Sequence, residues 1–363
     1  MKTQEELKNI VARFAVEGQV LAVEPLGNGL INDTFRVKTD GPSDYVLQRI
    51  NNAIFQDVAL LQHNIEAVTR HIRAKLAGDP DIDRKVLRFL PLKDGSKTYF
   101  EAEDGTFWRI SVFIKGARTY ETVDPESSYH AGKAFGQFEA MLADIPDTIG
   151  ETIPDFHNME LRARQLREAV EADAAGRMAD PAVKALVDEI LAYEEEMCKA
   201  ERMHREGTLP KRICHCDTKV NNMMLDEEGN VLCVIDLDTV MPSFVFSDFG
   251  DFMRTAGNTG AEDDPNLDNV SLDMDIFRAF AKGYVESAGV FLTPVERENL
   301  PYAALLFPYM QTVRFLADYI NGDTYYKIQY PEHNWVRSLA QWKLFRSAKD
   351  CLPQMKQFIE SLS

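Results

Sequence analysis

His215-Cys216-Asp217-Thr218-Lys219-Val220-Asn221-Asn222 is the segment from which the architecture can be read, together with the residues just after it: Met223-Met224-Leu225, a turn from Asp226 to Asn230, and Val231-Leu232-Cys233-Val234-Ile235-Asp236. It reads as a loop, an apolar strand, a turn, a second apolar strand and an aspartate. Asp217 is a carboxylate placed to accept the proton of an attacking hydroxyl. Asn222 and Asp236 are oxygen donors of the kind Mg²⁺ takes, and a hairpin is expected to bring them together. A base beside an all-oxygen metal set is what phosphoryl transfer requires. His215 is expected to hold the loop backbone rather than do chemistry. Asp238, two residues beyond Asp236 on the same strand face, is a candidate ligand for a second Mg²⁺. Taken singly, an Asp and an Asn in a loop are turn and cap residues. The ordered set is what gives them chemistry.

Farther along the chain, Asp248-Phe249-Gly250 imitates a metal-binding D-F-G string, but it lies beyond Pro242 and a loop instead of ending the hairpin. Asp248 and Asp251 are therefore expected to cap or brace the following helix, and Arg254 to brace a carboxylate. Residues 1–112 read mainly as strands: Val20–Val23, Asn32–Val37, Tyr45–Ile50, Val86–Leu90, Tyr99–Glu101 and Phe107–Phe113. Two helices interrupt them, at 3–16 and about 57–76. After a hinge at 113–117 the texture turns helical, with helical spacing over Ser128–Leu142, Leu161–Ala174, Ala182–Met203, Met274–Ser287 and Tyr302–Ile320. Ala261-Glu262-Asp263-Asp264-Pro265 reads as a mobile acidic loop. The layout predicts an α+β, bilobal protein-kinase-like fold: a small β-rich nucleotide-binding lobe over 1–112 and a larger, mainly helical catalytic and substrate-binding lobe over 118–363.

Composition narrows the function classes. The 363 residues are 45% hydrophobic and 27% charged, which fits a globular chain. The net charge of −18 argues against a nucleic-acid partner, since a phosphate backbone needs a basic face. No apolar run approaches the roughly 18 residues of a membrane span, and the N-terminus lacks the apolar block of a signal peptide. A cytoplasmic address is the expectation. Five cysteines, an odd number, make no disulfide framework and fit a reducing compartment. Cys214-His215-Cys216 is a poor metal site, because three successive residues of an extended strand cannot all face one ion.

The nucleotide side is less sharply written. Gly27-Asn28-Gly29 between two strands is either a phosphate-cradling loop or an ordinary hairpin turn. A lysine is expected on the next strand, paired with a helix glutamate. That strand reads Tyr45-Val46-Leu47-Gln48-Arg49, so Arg49 with Glu66 is the candidate pair, subject to strand register. Phe113, where the last strand meets the hinge, completes the nucleotide set.

The catalytic string resembles that of the aminoglycoside phosphotransferase and choline kinase superfamily. Longer stretches are similar to the N-acetylhexosamine 1-kinases: Gly29 to Phe35, Val46 to Asn51, His215 to Leu225, Arg314 to Tyr319, Asn321 to Lys327, and Tyr330 to Asn334. The resemblance implies ATP- and Mg²⁺-dependent phosphorylation of the anomeric hydroxyl of N-acetylglucosamine or N-acetylgalactosamine, with Asp217 as general base. It points to Arg314, Tyr325 and Trp335 for the sugar, with Thr34, Asp33 and His157 as further candidates. Superfamily members often carry Gly where this chain has Cys216. Two other readings stand beside it. One is a kinase for another small alcohol, such as choline, homoserine or an aminoglycoside. The other is a nucleotide-binding pseudokinase, whose expected mark is a lost base or metal ligand. A metal-dependent hydrolase would want clustered His, and the seven here are scattered.

Overall fold

The computed structural model describes residues 2–27, 32–120 and 123–362. In chain order the strands are β1 (Val20–Pro25), β2 (Asp33–Thr39), β3 (Tyr45–Ile50), β4 (Tyr99–Glu101), β5 (Phe107–Val112), β6 (Arg118–Thr119), β7 (Arg212–Cys214), β8 (Met223–Leu225), β9 (Val231–Val234) and β10 (Met241–Ser243). The chain divides into two compact units. The first holds Met1–Thr119, Asp144–Pro154 and Met224–Met241; the second holds Tyr120–Ala143, Asp155–Met223 and Pro242–Ser363.

In the first unit an antiparallel sheet runs in the order β1-β2-β3-β5-β4. Its helices are α1 (Gln4–Val11), α2 (Val58–Lys75) and a single turn, α3 (Ile82–Lys85). Thr3 and Glu6 form a capping box that starts α1. Strand alternation sends Val37, Tyr45, Leu47, Trp108 and Ile110 to one face, where they pack with Leu7, Ile10, Val11 and Phe14. A second small sheet, β6-β8-β9, buries Leu232 and Cys233 against Ile114.

The second unit is helical: α4 (Pro125–Leu142), α5 (Met159–Ala172), α6 (Pro181–Leu191), α7 (Glu194–Met197), α8 (Lys199–Arg205), α9 (Phe246–Thr255), α10 (Met274–Ala288), α11 (Pro294–Glu298), α12 (Leu300–Ile320) and α13 (His333–Ser361). Glycines let α4 and α10 approach closely: a Cβ on Gly132 would stand 2.2 Å from the Phe280 carbonyl oxygen. Phe249, Phe252, Phe277, Phe280 and Tyr284 fill the space behind α9 with ring-on-ring contacts. Among the described residues no helix is long and apolar enough to cross a membrane.

Three expectations change. Val86–Leu90 is not a strand, because β4 covers the edge of β5 from Phe107 to Arg109. Only a bridge from Phe89 to Ser111 remains for it. The helix expected over Ala182–Met203 breaks into α6, α7 and α8. Hydroxyls from α12 help hold the breaks: Tyr309 donates to the Ile190 carbonyl at 2.9 Å and Tyr302 to the Met197 carbonyl at 2.5 Å. The acidic loop is tied down, Glu262 to Arg254 at 2.5 Å and Asp263 to His333 at 2.8 Å.

Candidate active site

The second unit builds the loop around Asp217 on α9. Asp248 and Asp251 are three residues apart and so share a helix face. Asp248 accepts the backbone N–H groups of His215 at 2.8 Å and Cys216 at 2.7 Å. Asp251 accepts that of Thr218 at 3.1 Å, and the Thr218 hydroxyl donates to the Asp248 carbonyl at 2.7 Å. These carboxylates brace the loop and do not cap α9, which starts at Val245 with no side-chain cap. Arg254 extends the brace by joining Asp251 at 3.0 Å to Glu262. Burial opposes its charge, yet Asp251 and Glu262 together hold the guanidinium above its ordinary value.

His215 is fully buried, edge-on to Phe135 and Phe138 at 5.5 and 5.7 Å. Cys216 has φ +63°, the left-handed region. That explains why glycine suits this position, since a side chain there costs about 1–2 kcal/mol. The turn delivers Asp217 with its carboxylate 2.9 Å from the Lys219 ammonium. Asn222 Nδ2 donates to the Asp217 carbonyl at 2.9 Å and reaches its carboxylate at 3.3 Å, which leaves Oδ1 as an oxygen donor. Burial works against the Lys219 charge, but Asp217 and Asp251 raise it above the ordinary lysine value.

A pocket of about 400 Å³ lies in the same unit, lined by Arg162, Arg314, Asp318, Thr324, Tyr325 and Tyr326 among others. Buried Asp318 organises its rim by accepting the backbone N–H groups of Thr324, Tyr325 and Tyr326 at 2.8 to 3.0 Å. Arg314 lies over the rings of Phe156 and Tyr326. Arg162 is held by the Phe156 carbonyl at 2.8 Å, and burial with Arg314 nearby pushes it down to about 10. Arg314 and Tyr325 thus come together, and sequence reasoning missed Arg162. Trp335 packs against Tyr319 at 5.7 Å and does not line this pocket. His157 stacks on Phe156 at 4.2 Å and bonds the Ser247 hydroxyl at 3.0 Å. Burial pushes it down to about 3, against Asp251 and with Arg314, Arg162 and Arg254.

In the first unit Asp236 follows β9 with φ +60°, at the entry to a 3-10 turn over Leu237–Thr239. Asp238 has both carboxylate oxygens engaged. Asn32 donates to one at 2.7 Å, and Arg109 stands 2.5 Å from the other. The expected pair of Arg49 with Glu66 is not formed. Arg49 faces Asp33 across the ladder at 3.2 Å, both exposed, while Glu66 accepts from Thr98. Register decides this: Gln48, one residue earlier, sits opposite Arg109 and accepts from it at 3.0 Å. Arg109 is a buried cation of this unit that sequence reasoning missed. The available signal was a charge inside an otherwise buried strand. Thr34 takes a 3.4 Å bond from Gln48, and Phe113 lies under the Arg36 guanidinium at 4.3 Å. Gly27 has φ +70°, whereas Asn28 and Gly29 lie outside the described residues.

Comparison with known proteins bears on the fold and the family. An aminoglycoside phosphotransferase from Alicyclobacillus acidocaldarius is 15% identical, covering 98% of this chain and 96% of that one, with a TM-score of 0.64. A microcompartment-associated aminopropanol kinase is 16% identical over 97% and 98%, with a TM-score of 0.63. A spectinomycin phosphotransferase solved with ADP and spectinomycin is 12% identical over 98% and 99%, at 0.57. The fold is the protein-kinase-like fold of these phosphotransferases. Residues 22–286, which include the Asp217 loop and Asp236, match the family described as "Phosphotransferase enzyme family". The chain belongs to that phosphotransferase enzyme family.

Proposed function

We propose that the protein transfers the γ-phosphoryl group of ATP to the anomeric hydroxyl of an N-acetylhexosamine, with Asp217 as general base. The observation that carries this reading is the braced loop. Four hydrogen bonds that the loop donates to Asp248 and Asp251 fix residues 215–218, so Asp217 is held rather than free to turn. A preset carboxylate suits a reaction whose catalysis is mainly positioning.

Asp217 accepts the hydroxyl proton as the sugar oxygen forms its bond to the γ-phosphorus. The bond from that phosphorus to the β-bridging oxygen breaks, and ADP leaves with the electron pair. An anomeric hydroxyl is more acidic than an ordinary alcohol, so one carboxylate suffices. The Lys219 ammonium stands beside the Asp217 carboxylate at 2.9 Å. Oxygen donors of the kind a hard dication takes are present, Asn222 Oδ1 in the second unit and the Asp236 carboxylate in the first. Each is a residue that would hold Mg²⁺, which would supply the positive charge that screens the phosphates. Asp238 is assigned to Arg109 instead, because its oxygens are already engaged. Gly27 and Phe113 remain on the nucleotide side of the proposal, and Thr34 is a minor candidate for the sugar.

The pocket at Arg162 and Arg314 supports a neutral polyhydroxylated substrate. Its volume suits a small ligand, and its arginines and tyrosines donate to ring hydroxyls and an acetamide carbonyl. Two neighbouring guanidinium groups disfavour the cationic choline and aminoglycoside classes. A panel of hexosamines, choline, homoserine and an aminoglycoside, compared by kcat/KM, tests this. N-acetylhexosamines are expected to lead, and a cationic alcohol in first place would refute the assignment.

A further inference from the structure

The carboxylate that anchors the loop is not alone. Glu139 of α4 and Asp248 of α9 are 2% and 0% exposed, and Glu139 Oε1 is buried with no hydrogen-bond partner among the described residues. Their oxygens and the Cys214 Sγ all lie within 4.8 Å of one another. Among the described residues neither carboxyl has an ion pair with Lys or Arg within 4.0 Å. The close approach of α4 and α10 also lets the Tyr284 hydroxyl donate to Glu139.

Two carboxyls buried this close together cannot both be ionised, so one of them holds a proton, and Glu139 Oε1 is the oxygen left to carry it. The charge belongs on Asp248, which accepts the N–H groups of both His215 and Cys216. From outside the pair, the Tyr284 hydroxyl donates to Glu139, with the Cys214 thiol beside it. A metal is a poor alternative, since the backbone donors already occupy both Asp248 oxygens and only three ligands converge.

We infer that Glu139 is a neutral acid at physiological pH, and that the proton it donates to Asp248 positions the backbone ahead of Asp217. Glu139 is then a positioning residue that acts through Asp248. Desolvation, then the Asp248 charge, raises Glu139 well above the ordinary carboxylate range, which agrees with the geometry. The other titratable groups around the pair are Arg212, Cys214, His215, Cys216 and Tyr284. The catalytic consequence rests on the reading of Asp217 as base; the protonation itself does not.

Infrared difference spectra of the whole protein at pH 7, wild type against Glu139→Gln, test the protonation directly. A neutral carboxylic-acid carbonyl band present in wild type and lost in the variant is expected; no such band would overturn the inference. Kinetics test the positioning. Glu139→Gln, whose amide both donates to Asp248 and accepts from Tyr284, is expected to keep kcat within about threefold. Glu139→Leu, which removes the donor, should lower kcat about tenfold or more with the ATP KM little changed. Equal damage in both variants would overturn the positioning role. If Asp217→Asn retained turnover, the base assignment would fail while the infrared result still decided the state of Glu139.

Discussion

The Arg109 guanidinium stands 2.5 Å from a carboxylate oxygen of Asp238, and the two side chains are 2% and 4% exposed. This pair ties β5 of the five-stranded sheet to the segment just beyond Asp236. Gln48, Gln62 and Asn32 complete its hydrogen bonds. A buried pair of this kind adds little net stability over an apolar packing, but breaking one partner strands a charge. Arg109→Met is expected to destabilise the protein by about 3–5 kcal/mol, seen as a lowered Tm. An Arg109→Met, Asp238→Leu double variant should recover part of the loss. A single variant that melts like wild type would show that the pair holds nothing.

Asp217→Asn keeps the shape of the side chain but loses the charge that faces Lys219. It should lower kcat by about 10² or more and leave ATP binding nearly intact, as removal of a general base does. Steady-state kinetics with calorimetric ATP binding separate the two effects. Retained turnover would remove Asp217 from the chemistry.

Arg314 and Trp335 divide the sugar prediction. Arg314 lines the 400 Å³ pocket and Trp335 does not. Arg314→Ala is expected to raise the sugar KM by about tenfold with a smaller change in the ATP KM. Trp335→Phe should move neither. A sugar KM that responds to Trp335 instead would relocate the pocket.

His157 carries a pH signature. Its folded value of about 3 lies below the ordinary 6.5, because burial disfavours the cation. Between those values the unfolded chain binds a proton that the folded chain refuses, so stability falls as pH drops from 6.5 toward 3. No such contribution arises above that window. His157→Gln should flatten the slope of Tm against pH there, measured beside wild type so that the carboxylates cancel. An unchanged slope would mean that His157 titrates normally.

The loop and the layout were legible in the sequence because spacing carries them. Asp217, Asn222 and Asp236 stand at positions that only an ordered loop and hairpin would use together, and β-rich and helical textures separate by period. The buried cation of the sheet was not legible. Gln48 and Arg49 differ by one residue, and one residue selects the opposite face of the strand; only the register with β5 put Gln48 against Arg109. Glu139 was hidden for a related reason. A single acid in a helical pattern reads as a solvated position until the approach of α10 buries it. Trp335 was drawn into the sugar set by its chemistry, while packing against Tyr319 claimed it.

The most direct measurement is ³¹P NMR of the protein with ATP, Mg²⁺ and N-acetylglucosamine or N-acetylgalactosamine in separate tubes. If Asp217 activates an anomeric hydroxyl, a new sugar 1-phosphate resonance, split by the anomeric proton, appears with ADP in at least one tube. ADP formation without that resonance, or no turnover of either sugar by protein that binds ATP, would contradict it.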